Sequence, residues 1–98
     1  MTGKQRAFLR SLAHTLDTVL FIGKEGITNG TVKEAYDLLE AREIIKCANG
    51  KSSPLTTREA CQNLCEKTGA EPIQLIGRRF VVYRESRRHK QIDLKSIK

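Results

Sequence analysis

Val19-Leu20-Phe21-Ile22-Gly23-Lys24-Glu25-Gly26-Ile27-Thr28-Asn29 is the stretch on which the fold turns. Val19 to Ile22 is a short, unbroken apolar run, the pattern of a buried strand. Gly23-Lys24-Glu25-Gly26 ends it. Thr28 or Asn29 offers an N-cap to the next segment. There Val32, Ala35, Tyr36 and Leu39 recur at helical spacing and predict a core-facing stripe. Glu34, Asp37 and Glu40 fall on the outer side of that helix and make an acidic flank, a poor face for a polyanion.

Upstream, Thr2-Gly3-Lys4-Gln5 has the Thr-x-x-Gln form of a capping box and predicts a helix start. Phe8, Leu9, Leu12 and Leu16 form its buried stripe, and Arg6, Arg10 and His14 line the opposite face. Asp17 and Thr18 break the pattern. Downstream, Ile44, Ile45 and Cys47 predict a second strand over 42–48. It is expected to be short, because residues 47–54 are polar, and Asn49-Gly50-Lys51-Ser52-Ser53-Pro54 is a loop. Thr56-Thr57-Arg58-Glu59 offers another capping box, with Ala60, Cys61, Leu64 and Cys65 facing inward and Gly69 stopping the helix. Residues 73–76 and 80–83 make two strands joined by the tight turn Gly77-Arg78-Arg79, hence an antiparallel hairpin.

The predicted order is α-β-α-β-α-β-β. Parallel strands joined by helices, closed by one hairpin, give an α/β two-layer sandwich with a four-stranded mixed sheet. Residues 1–84 form one domain. After Arg84 the composition shifts: Arg84, Arg87, Arg88, Lys90, Lys95 and Lys98 face only Glu85 and Asp93, so residues 85–98 are expected to be a flexible basic tail. Ile92, Leu94 and Ile97 are too few to predict another core element.

The chain has 98 residues, with 18 Lys and Arg against 11 Asp and Glu, a net charge of +7. Hydrophobic residues at 39% sustain a core and argue against global disorder. A small, strongly basic chain seeks polyanions, nucleic acid first. No apolar run approaches a membrane span and no signal-peptide core follows Met1, so a cytoplasmic protein without a membrane partner is expected. Three cysteines, an odd number, fit a reducing compartment.

The chemistry concentrates in Gly23-Lys24-Glu25-Gly26. Two glycines let a ligand's backbone approach, the following helix N-terminus favours phosphate, and Lys24 adds a mobile ammonium. KH-type domains grip nucleotide backbone with a GXXG loop in this setting. Such a loop also serves as a plain turn, and the Arg6/Arg10/His14 row as a solvated face. Phe8, Phe21, Tyr36 and Phe80 fit core positions. Tyr83 is the one ring with a case for exposure, although core or edge packing is the favoured reading. Recognition of phosphate and shape is therefore expected over base readout.

Several blocks resemble the YhbY family: Thr2-Gly3-Lys4-Gln5-Arg6, Leu9-Arg10-Ser11-Leu12-Ala13-His14, Ile22 to Thr28, Leu39 to Lys46, and Ile73 to Arg84. They come in the family's order across residues 2–84. The family is the CRM domain, named for chloroplast RNA splicing and ribosome maturation. The resemblance implies a fold similar to the C-terminal domain of translation initiation factor three. It implies association with precursors of the large ribosomal subunit, and RNA contact through Gly23, Lys24, Glu25 and Gly26. Lys4, Arg6, Arg10, Arg42, Arg78, Arg79 and Arg84 are the flanking candidates. The tail is not covered by the resemblance.

No catalytic arrangement is visible. His14 and His89 are far apart, and no nucleophile-base pair, Walker loop or paired carboxylates occur. Cys61 and Cys65 read as small core residues, leaving Cys47 without the partners of a zinc site. The expectation is a non-enzymatic monomer that takes RNA, with no cofactor, metal or small-molecule substrate. A basic protein-interaction module and a DNA binder stand as alternatives.

Overall fold

The computed structural model describes residues 1–97. Lys98, counted in the basic tail above, lies outside them. Three helices start on reciprocal caps. In α1 (Gly3–Ala13) the Thr2 hydroxyl accepts the Gln5 N–H at 3.1 Å, and Gln5 Oε1 accepts the Thr2 N–H at 2.9 Å. In α3 (Thr57–Thr68) Thr56 and Glu59 make the same exchange, and Gly69 closes the helix in the left-handed conformation. In α2 (Asn29–Arg42) the cap is Thr28, and Thr31 takes the place of the usual Glu or Gln. Each N-cap stabilises its helix by about 1 kcal/mol.

The strands are β1 (Thr18–Ile22), β2 (Ile44–Asn49), β3 (Glu71–Ile76) and β4 (Arg79–Tyr83). The sheet order is β1-β2-β4-β3, with β1 and β2 parallel and the other two pairs antiparallel. The element order is the one read from the sequence. The second strand begins two residues later than predicted, because Arg42 finishes α2 and Glu43 turns the chain at φ +66°.

Alternation along the strands divides the sheet. Leu20, Ile22, Ile45, Cys47, Phe80 and Val82 point to one face and are buried under α2 and α3, against Ala35, Leu39, Ala60 and Leu64. That sheet and helix pair are the two layers of the sandwich. Ile44, Ile73, Val81 and Tyr83 point to the other face, where Leu9 and Ala13 of α1 cover them. Replacing Phe80, fully enclosed in the larger cluster, with Ala would cost about 3–5 kcal/mol.

Phe80 and Tyr83 follow the sequence reading, and three other rings do not. Phe80 is buried, but Phe8, Phe21 and Tyr36 are exposed. Tyr83 is packed, at 6% exposure. α1 covers only the half of its sheet face near Ile44 and Tyr83, so Phe21 on the edge strand β1 has nothing above it.

Residues after Arg84 make contacts that their composition did not announce. Ile92 and Leu94 pack on the α1 side of the sheet, and Leu94–Ser96 form a 3-10 turn. The anchor is Glu43, whose side chain is fully buried. Its Oε1 accepts the N–H groups of Gln91 (2.6 Å) and Ile92 (2.7 Å), and its Oε2 accepts that of Ser86 (2.8 Å). One carboxylate thus satisfies three backbone donors, which is how a buried charge becomes tolerable.

Candidate nucleic-acid interface

The end of the sheet where β1 and β2 finish carries three loops. In the first, the Gly26 N–H donates to the Gly23 carbonyl at 3.0 Å and closes a turn with Lys24 and Glu25 at its tip, both exposed. Gly26 has φ +68°, a conformation that costs a side-chain-bearing residue about 1–2 kcal/mol. Gly23 has no such constraint, and a Cβ placed there would meet open space. The two glycines therefore differ: one shapes the bend, the other leaves its outer wall bare.

The second loop follows β2. Gly50 donates its N–H to the Ile22 carbonyl at 2.8 Å, and Asn49 Nδ2 donates to the Leu55 carbonyl at 2.8 Å. Pro54 and Leu55 lie beside Gly26, so Lys51-Ser52-Ser53 sits next to the first loop. The third is the β3–β4 turn, tied in by the Asn49 N–H to the Arg78 carbonyl at 2.7 Å. Lys24, Lys51, Arg78 and Arg79 are exposed cations at this one end.

Phe21, Gly23, Lys24, Glu25, Gly26, Thr28 and Thr31 line a shallow depression of about 400 Å³. The first N–H groups of α2, on Asn29 and Gly30, have no partner among the described residues. They carry the positive end of the helix dipole. The acidic flank of α2 does not close this site: Asp37 pairs with Lys33 and Glu40 with Arg84, further along the helix.

The other candidates lie elsewhere. Arg6, on α1, reaches the start of β3, donating to the Pro72 carbonyl and pairing with Glu71 at 3.3 Å. Arg42 is exposed at the far end of α2, roughly 20 Å along the helix from its start. Arg84 is engaged by Glu40 at 2.8 Å, the Thr68 carbonyl at 3.0 Å and the Tyr36 ring at 4.2 Å. Lys4 and Arg10 are on α1, the first exposed and the second half-buried. The structure thus brings Gly23–Gly26, Arg78 and Arg79 together, and sets Arg6, Arg42 and Arg84 at the opposite end of the sheet. Sequence reasoning passed over Phe21, Lys46 and Lys51. Lys51 carried a signal, a cation in a glycine-led loop after a parallel strand.

The thiols belong to the core. Burial pushes Cys47 up to about 12. A sulfur hydrogen bond to Cys61 keeps Cys65 protonated, and burial adds to this. Among the described residues no group of three or more His, Cys, Asp or Glu side chains is placed to hold a metal ion, and no helix is long and apolar enough to cross a membrane.

The profile of the CRS1 / YhbY (CRM) domain matches residues 1–84, the whole span from α1 to the end of β4. The chain belongs to this family. It is similar to a Bacillus subtilis member named Probable RNA-binding protein YqeI, 36% identical over 94 residues, covering 96% of this chain and 98% of that one. A Haemophilus influenzae member named RNA-binding protein is 33% identical over 86 residues, 88% of this chain and 87% of that one. The solution structure of SAV1595 from Staphylococcus aureus superposes with a TM-score of 0.78 at 42% identity, over 95% of this chain and 97% of that one. This CRM-domain chain therefore shares sequence with these relatives, and fold with the SAV1595 protein, across most of its length.

Proposed function

We propose that this protein binds RNA through its sugar-phosphate backbone at the Gly23–Gly26 turn, and that it acts without catalysis, as a cytoplasmic monomer, on precursors of the large ribosomal subunit. The observation that carries the reading is the turn itself. It holds Lys24 outward, leaves Gly23 bare, and stands before two α2 amides that have no partner among the described residues. A phosphate seated there meets an ammonium, free N–H donors and no side chain at Gly23. Lys51, Arg78 and Arg79 extend the positive surface along the strand's path, and the net charge of +7 adds long-range attraction. The names of the relatives support RNA as the partner, and the family likeness supports the ribosomal setting.

Crosslinking in cells, followed by sequencing of the attached RNA, tests the assignment. Recovery of large-subunit ribosomal RNA is the expected result. Recovery of mostly messenger RNA, of DNA, or of no nucleic acid contradicts it.

A further inference from the structure

The sheet face shared with α1 is only half covered, and the uncovered half has an ordered composition. Strand register sets Phe21, Ala48, Arg79 and Ile76 side by side across β1, β2, β4 and β3. The next row is Thr18, Lys46, Val81 and Gln74. Directly paired residues point to the same face: the first row lies at the loop end, clear of α1, and the second runs along the margin of α1, with Val81 buried beneath it and Thr18, Lys46 and Gln74 half-buried. Phe21 is 70% exposed and Ile76 63% exposed, the two most exposed large apolar side chains of the described residues. The two rows hold Arg79 and Lys46 and no carboxylate.

Arg79 Nε donates to the Thr18 hydroxyl at 3.3 Å. Since β2 lies between β4 and β1, the arginine side chain crosses β2 and lies along the sheet. The result is a flat surface with an aromatic ring at one edge, an aliphatic side chain at the other, and a planar cation between them. Phe21 also forms a wall of the depression that contains Gly23 and Lys24. The ring and the phosphate seat are therefore continuous.

We propose that this open half-face is a stacking platform for unpaired bases of the RNA strand whose phosphates the Gly23–Gly26 turn holds; the proposal rests on the binding reading given above. An RNA strand gripped at its backbone must place its bases somewhere. Here an adjacent ring and guanidinium offer them π-faces, and the lysine and arginine complement the strand's charge. Three interstrand spacings make the row about 14 Å wide, room for two or three bases, the number an RRM sheet stacks. A base locked in a duplex has no free face, so the platform selects single-stranded over paired RNA.

The test uses two single-stranded oligoribonucleotides of equal length, one of mixed sequence and one with abasic nucleotides, titrated by fluorescence anisotropy. Phe21→Ala is expected to weaken binding of the base-bearing strand about five- to hundredfold, the range for loss of one stacked base. It is expected to weaken the abasic strand by a much smaller factor, and Phe21→Trp is expected to restore the affinity. Ile76→Ser, on another strand, gives a smaller loss on the same probe. Equal affinities of wild type and Phe21→Ala for the base-bearing strand overturn the proposal. So does an equal loss on both probes, or a shift from dimer to monomer with RNA affinity intact, which would make the face a self-association surface. Lys24→Ala, run alongside, separates the two readings. If it leaves abasic RNA binding unchanged while Phe21→Ala acts as expected, the loop reading fails and the platform stands. If wild type binds neither strand, both fail.

Discussion

Gly50 donates its backbone N–H to the Ile22 carbonyl at 2.8 Å, and a Cβ at Gly50 would stand 2.9 Å from that same oxygen. The close approach ties the loop after β2 to the end of β1, where the Gly23–Gly26 turn begins. No side chain fits between them. Gly50→Ala is expected to destabilise the protein by about 1–3 kcal/mol, the usual range for forced overpacking. It should also weaken RNA binding more than its stability loss explains, by displacing Lys51 and Pro54 from the turn. Urea unfolding and RNA titration at one temperature check both parts.

The two glycines of the turn should respond differently to alanine. Gly26→Ala meets φ +68° and is expected to cost about 1–2 kcal/mol. Gly23→Ala meets neither strain nor a neighbour and is expected to leave stability within about 0.5 kcal/mol. Its methyl group, however, occupies the wall where a ligand would approach, so RNA affinity should fall in a protein that melts normally. A pair of melts and a pair of binding curves decide this.

Glu43 holds residues 86, 91 and 92 by their backbone N–H groups from a fully buried position. Hydrogen bonds to a charged group contribute about 1.5–3 kcal/mol each. Glu43→Gln keeps the shape but loses the charge and one acceptor, and is expected to destabilise by about 2–4 kcal/mol. Limited proteolysis should then cut after Arg87 or Arg88 faster than in the wild type. An unchanged cleavage rate would show that these residues do not depend on Glu43.

Stability should fall in acid through two carboxylates. Burial opposes ionisation of Glu40, yet hydrogen bonds from Ser86 and the Arg87 backbone, with the charges of Arg84 and Arg87, hold it below its ordinary 4.5. The backbone N–H and hydroxyl of Thr56 hold Glu59 below 4.5 as well. A depressed folded value means stability that is present above 4.5 and lost as pH falls through the lower value. Glu40→Gln should flatten part of that loss, measured as melting temperature between neutral pH and acid. At the alkaline end burial pushes Tyr83 up to about 12 from 10.0, so stability falls as pH rises across that window.

Local signals carried most of the fold. The Thr2 and Thr56 boxes, the Gly69 stop and the hairpin at Gly77 act within a few residues of sequence, and each element they bound is present. Sheet order and face coverage are long-range properties. The run Val19–Ile22 reads as buried on both faces, but Phe21 lies beyond the reach of α1, and nothing local records how far α1 extends. Glu43 was equally invisible, because its partners lie more than forty residues away and are backbone amides, which have no sequence identity. The turn at Gly23 was legible as a motif. Arg78 was legible as a candidate through the resemblance, but that Lys51 and Arg78 stand beside the turn follows only from the long-range bonds of Gly50 and Asn49 that join the loops.

The central claim, a backbone grip on RNA at the Gly23–Gly26 turn, is tested most directly by titrating single-stranded RNA at several salt concentrations. Engagement of about four cations gives a log–log slope near −3, and Lys24→Ala is expected to weaken binding across sequences and reduce that slope by about 0.7. An unchanged affinity and slope in a folded Lys24→Ala, Gly26→Asp double variant would remove the turn from the site.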